Sequence, residues 1–102
     1  AHITGGGITE NLPRVLPEGL SATIHLNAWE IPAIFQWLQE QGNVTQENML
    51  TTFNCGVGMI VCVAPENETA AINLLNELGE TAFAIGEIVA TPHKKQVDYI
   101  TD

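Results

Sequence analysis

Three successive glycines stand in the run A-H-I-T-G-G-G-I-T-E-N, Ala1 to Asn11, beginning three residues after a histidine. Gly5, Gly6 and Gly7 can expose several backbone N–H groups at one spot. If Ile8 opens a helix, the positive end of its dipole adds to them, and phosphate oxygens are the matching ligand. No Lys-Ser/Thr follows the glycines and the spacing is not G-x-G-x-x-G, so neither of the common phosphate-loop signatures applies. Ile3 and Ile8 flank the run closely, and on pattern alone a turn between two packed elements leads over an anion site. His2 suits an acid, a base or a hydrogen-bond donor, unless the chain end is frayed. Arg14 is the cation nearest the glycines; its guanidinium can take a phosphate bidentately or pair with Glu10, four residues back.

A second stretch, T-F-N-C-G-V-G-M at Thr52 to Met59, puts Gly56 and Gly58 on one face of an expected strand. That leaves a lane without side chains, for close packing or for a ligand, and packing is the commoner cause. Cys55 has no base or metal partner nearby in sequence, so it is not read as a nucleophile. His25 on the polar face of a strand and His93 in a turn are read as surface residues, and no metal-ligand cluster is visible.

Composition bounds these readings. A chain of 102 residues with 45% hydrophobic and 15% charged residues is expected to be one soluble domain, with no apolar run long enough to cross a bilayer. The formal charge of −9 argues against nucleic-acid or anionic-membrane partners. Cys55 and Cys62 are taken as reduced thiols of a cytoplasmic protein. The abrupt start on a motif, without Met, is read as an excised piece.

The elements that must carry these residues follow from periodicity. Leu20 to Leu26 alternates as a half-buried strand, followed by a turn at Asn27 to Glu30. Ile31, Ile34, Phe35 and Leu38 make a helical stripe over Pro32 to Gln41, stopped by Gly42. Thr45 caps a short helix through Leu50. Gly56 to Val63 is nearly continuous apolar sequence and is expected as the central strand. Asn67 caps a helix with a stripe of Ala71, Leu74, Leu75 and Leu78, ended by Gly79. Ala82 to Ala90, interrupted by Gly86, is expected to form a hairpin with Gln96 to Ile100 across Thr91 to Lys95. The fold class is α+β, with helices packed on a mixed or antiparallel sheet.

The two glycine-bearing motifs, with the W-E-I-P-A-I-F-Q-W-L-Q and G-E-T-A-F-A-I-G segments, closely resemble the C-terminal domain of the aminoimidazole ribonucleotide synthetase family over nearly the whole chain. The resemblance implies an ATP- and Mg²⁺-dependent cyclo-ligase of purine biosynthesis. Such an enzyme converts formylglycinamidine ribonucleotide to aminoimidazole ribonucleotide, ADP and phosphate, and works as a cytoplasmic homodimer. It also implies that residues 1–102 are a truncated C-terminal domain. An N-terminal domain carrying most metal and nucleotide contacts is missing, as is the start of the C-terminal domain itself. The fragment is then expected to be inactive alone, to bind no cofactor and to self-associate through an open sheet edge. Carried over by motif, His2, Thr4, Gly5, Gly6 and Gly7 line the cleft, His2 as the catalytic candidate. Asn11 and Arg14 stand close behind, and Asn54, Gly56 and Gly58 are further substrate or phosphate neighbours. The alternative is a non-catalytic phosphate- or nucleotide-binding or assembly domain of a related superfamily member.

Overall fold

A computed structural model describes residues 1–90 and 97–101. The elements run α1 (Gly7–Asn11), β1 (Leu20–His25), α2 (Ala33–Gly42), α3 (Gln46–Thr52), α4 (Glu68–Glu77), β2 (Gly86–Ala90) and β3 (Val97–Ile100). Short 3-10 turns at Leu12–Val15, Leu26–Ala28 and Pro65–Asn67 join them. The fold is α+β with a mixed three-stranded sheet, as expected from the sequence.

The strand order is β2-β1-β3, with β1 antiparallel to β2 (Ala22 opposite Ile88) and parallel to β3 (Ala22 opposite Val97). Two expectations are corrected here. The central strand is β1, not Gly56 to Val63, and β2 and β3 lie on opposite edges of β1 instead of pairing as a hairpin. The expected turn from Thr91 to Lys95, with His93, lies outside the described residues. β2 begins at Gly86, so the glycine opens the strand and does not interrupt a longer one.

Residues 56–63 fail to become a central strand because they find a partner on one side only. Their pairing is a single antiparallel bridge between His2 and Met59, held by Ile3 N–H to Gly58 O at 2.9 Å and Ile60 N–H to Ala1 O at 2.8 Å. Val57 and Ile60 turn inward, while Met59, Val61 and Val63 are exposed.

The helices follow their local signals with small shifts. Thr45 caps α3 as expected, its hydroxyl accepting from Asn48 N–H at 3.2 Å. α2 ends through Asn43, which takes the left-handed conformation (φ 52°) that ordinarily favours glycine, so Gly42 is its last residue and not its stop. Asn67 makes no side-chain cap, because the chain enters α4 through the preceding 3-10 turn.

Two apolar clusters hold the chain. The first joins Ile3, Ile8 and Leu12 to Ala22, Ile24, Val57, Ile60 and Val97. The second gathers Leu26, Met49, Leu50 and Cys55, flanked by Trp29, Phe35, Phe53 and Tyr99. Neither α2 nor α4 buries a residue, despite an amphipathic stripe on each. The radius of gyration, 14.0 Å, accordingly exceeds the ~13 Å expected of a compact chain this long. Among the described residues no helix is long and apolar enough to cross a membrane.

Candidate functional site

The glycine run makes a tight turn into α1. Gly6 (φ 97°) and Gly7 (φ 63°) are both left-handed, a conformation that costs an L-residue steric strain. Close approach adds to the demand: a Cβ on Gly7 would strike the carbonyls of Leu50 and Phe53, where α3 ends. Gly7 is therefore the position at which α1 is pressed against α3, and its N–H is used internally, donating to Thr4 O at 3.0 Å. A Cβ on Gly6 would collide with the Glu10 carboxylate, which lies over the turn. Among the described residues Gly5 and Gly6 N–H donate to no backbone carbonyl, and Gly5 is open to solvent.

Asn11 holds this turn from behind. Its side-chain Nδ2 donates to the carbonyls of Gly7 (2.8 Å), Gly5 (3.2 Å) and Thr4 (3.3 Å), and Thr4 Oγ1 donates to its Oδ1 at 3.4 Å. At 4% exposure Asn11 is inside the fold, and its amide ties together carbonyls that the glycine conformation brings to one side.

The second motif forms another fixed turn. Cys55 (φ 53°) and Gly56 (φ 98°) are left-handed in succession, and Val57 N–H bonds Asn54 O at 3.0 Å, the pattern of a type I′ turn. Asn54 Oδ1 accepts from Gly56 N–H at 2.9 Å, and Trp29 Nε1 donates to Cys55 O at 3.0 Å. A Cβ on Gly56 would press on the Pro32 ring, so this glycine is required by packing, whereas a Cβ at Gly58 would meet open space.

The two turns converge. Thr4 and Gly5 from the first and Asn54 from the second line one cavity of about 320 Å³, together with Thr52, Phe53 and Phe35. Of the residues singled out by sequence, these three share the hollow, and Asn11, Gly7 and Gly56 hold its walls. His2 is exposed, with its backbone pinned in the bridge to Met59, and it does not line the cavity; nor do Gly58 and Arg14. Arg14 is exposed on its 3-10 turn, and no ion pair joins it to Glu10 among the described residues. Sequence reasoning missed Phe35, Thr52 and Phe53. Phe35 was absorbed into the α2 stripe, and Thr52 and Phe53 stood in the second motif without a role.

Two neighbouring groups are tuned by burial. Cys55, 1% exposed, has its thiol pKa pushed up by desolvation, and Sγ lies 3.5 Å from Met49 O. This protonated, enclosed thiol is a poor nucleophile. Tyr99 is likewise raised, chiefly by burial, against the opposing effect of its 2.7 Å hydrogen bond with Thr9 Oγ1. Thr9 Oγ1 also lies 3.3 Å from Leu50 O, so the threonine hydroxyl bridges β3 and α3, and either hydroxyl of the Thr9–Tyr99 pair can be the donor.

The chain is an α+β module in which a glycine turn and an asparagine turn face one hollow. The chain belongs to the AIR synthase related protein, C-terminal domain family, whose model matches residues 1–98. It is similar to the phosphoribosylformylglycinamidine cyclo-ligase of Methylobacillus flagellatus, 59% identical over 90 residues, which covers 88% of this chain and 26% of that protein. It is also similar to the enzyme of the same name from Chromobacterium violaceum, 57% identical over 88 residues, covering 86% and 26%. The chain thus spans about a quarter of the length of the curated relatives it matches.

Two outcomes are expected. Asn11→Ala removes the donor shared by the carbonyls of Thr4, Gly5 and Gly7 and costs about 1–3 kcal/mol in urea denaturation, and the near-isosteric Asn11→Asp, which as a carboxylate cannot donate, costs at least as much. A neutral Asp variant would contradict the clamp. With the Cys55 and Tyr99 pKa values raised on folding, their contribution is fully present below the unfolded thiol value. It is lost as pH rises from ~8.5 toward the folded values, so stability measured against pH declines there and declines less in Tyr99→Phe.

Proposed function

We propose that this chain is the C-terminal, substrate-facing part of an ATP-dependent cyclo-ligase that converts formylglycinamidine ribonucleotide to aminoimidazole ribonucleotide, ADP and phosphate. The observation that carries the reading is the meeting of Thr4, Gly5 and Asn54, from two separate motifs, on one cavity. The names of the relatives support it. Gly5 and Gly6 N–H groups supply neutral donors for the substrate's phosphate, while the Thr4 hydroxyl is already given to Asn11 Oδ1, and Asn54 supplies an amide on the opposite wall. Ring closure of this kind calls for alignment and charge stabilisation, which preorganised amides provide, and not for a covalent nucleophile. His2, beside the turn, and Arg14, behind it, are assigned to charge and proton handling once the rest of the enzyme encloses them.

The cavity lining does not by itself fit Mg²⁺. Threonine, asparagine and backbone groups line it with no carboxylate, and Glu10 sits over Gly6, outside that lining. ATP and the metal are therefore assigned to the remaining three-quarters of the protein, and no step is routed through a metal held by this chain. The homodimeric state and cytoplasmic location follow from the resemblance alone. A second reading, an assembly or binding module without catalysis, draws on the exposed row Met59, Val61 and Val63, an apolar edge suited to self-association of the isolated chain.

Incubated with ATP, Mg²⁺ and formylglycinamidine ribonucleotide, residues 1–102 alone are expected to release no ADP; sustained release would contradict the division of labour. In the full-length protein, Gly6→Val drives a β-branched residue into a left-handed position against Glu10. It should reduce kcat/KM by at least about tenfold, roughly 1.4 kcal/mol of transition-state binding. Unchanged kinetics would make the turn merely architectural.

A further inference from the structure

The hollow shared by Thr4, Gly5 and Asn54 has an apolar side that phosphate binding leaves unexplained. Phe35 from α2 and Phe53 at the end of α3 face each other with ring centroids 5.9 Å apart and planes tilted by 56°, and both line the cavity. Each ring is only half-buried. Phe35 and Phe53 both pack partly against the second apolar cluster, and the remaining part of each side chain lines the cavity. Phe53 is fixed more firmly: its N–H donates to Met49 O at 2.9 Å, and its carbonyl abuts Gly7. The aromatic wall and the glycine turn are thus built on the same contact.

Phosphate oxygens need donors and gain nothing from a phenyl face. A planar, nitrogen-bearing group does gain: its faces are poorly hydrated, and stacking of a base on an aromatic side chain is worth ~1–3 kcal/mol. The volume, about 320 Å³, lies at the lower end of the ~300–1,000 Å³ usual for small-molecule sites and suits one mononucleotide-sized molecule. We infer that Phe35 and Phe53 determine specificity at this site, holding the planar amidine or imidazole end of a ribonucleotide while the Thr4, Gly5 and Asn54 rim takes its polar end. The inference rests on the substrate reading above and adds the residues that select for the heterocycle.

The test uses the full-length protein with three probes, inorganic phosphate, ribose 5-phosphate and aminoimidazole ribonucleotide, titrated calorimetrically. Phe35→Leu and Phe53→Leu keep apolar bulk but remove the aromatic face. Each is expected to weaken aminoimidazole ribonucleotide about 5- to 30-fold while changing ribose 5-phosphate and phosphate by less than about twofold. Should Phe53→Leu unfold, Phe35→Leu, at a half-buried position on a helix with no fully buried residue, still decides the matter. An equal loss for all three probes would make the rings structural, and no loss for any would remove them from the site; either overturns the inference while leaving the phosphate reading intact. Wild-type protein that binds neither sugar phosphate overturns the substrate reading, and this one with it.

Discussion

The side-chain amide of Asn11 is the contact on which the site depends. A chain that turns through two left-handed glycines brings the carbonyls of Thr4, Gly5 and Gly7 to one side, where a buried donor can tie them together. One buried Nδ2 meets the carbonyls of Thr4, Gly5 and Gly7, and the turn becomes an ordered object. Gly7, freed of a Cβ, then lets α1 rest directly on the end of α3. That contact brings the first motif to the second, since Phe53 and Asn54 follow α3 immediately.

The sheet serves this meeting from a distance. β1, fully buried at Ala22, anchors β2 on one side and β3 on the other, and Tyr99 on β3 reaches Thr9 of α1 through its hydroxyl. Thr9 in turn holds Leu50 of α3. A single chain of hydrogen bonds therefore runs from the sheet through α1 to α3, between the two apolar clusters. The candidate site stands on the α1–α3 side of that chain and not on the sheet itself.

What was legible in the sequence was local. The strand expected at Leu20 to Leu26 and the Thr45 cap report interactions within a few residues and both appear in the fold, although Ser21, on the expected polar face, is buried. Sheet order was not legible, because the alternation of β1 looks the same whether a strand has one neighbour or two. The apolar run from Gly56 to Val63 misled for the converse reason. Continuous hydrophobicity marks a segment suited to cover on both faces, but whether partners arrive depends on distant chain, and here residues 1–3 pair with it on one side only. At the site, Thr4, Gly5 and Asn54 of the two motifs meet at one hollow while His2, Arg14 and Gly58 stand outside it, and the sequence did not separate their roles. Asn11 and Gly7 turn out to hold the loop, while Thr4, Gly5 and Asn54 face the hollow. Only burial distinguishes these, and the sequence carries no burial signal for a polar residue such as Asn11.

Electrostatics sets the division of labour between this chain and its surroundings. A net charge of −9 repels a phosphate monoester at long range, and Glu10 places a carboxylate over the very turn whose amides would receive it. At physiological ionic strength the long-range part is screened beyond ~8 Å, so short contacts decide. The contacts available are neutral: amides, a hydroxyl, an asparagine and two phenyl rings. Such a surface discriminates by shape and hydrogen-bond direction but provides little of the attraction that draws a dianion in. On the proposed function, the attraction is assigned to cations outside the cavity, Arg14 among them. Specificity and charge compensation are then separated in space, because the neutral donors and rings that discriminate lie in the hollow and the nearest cation does not.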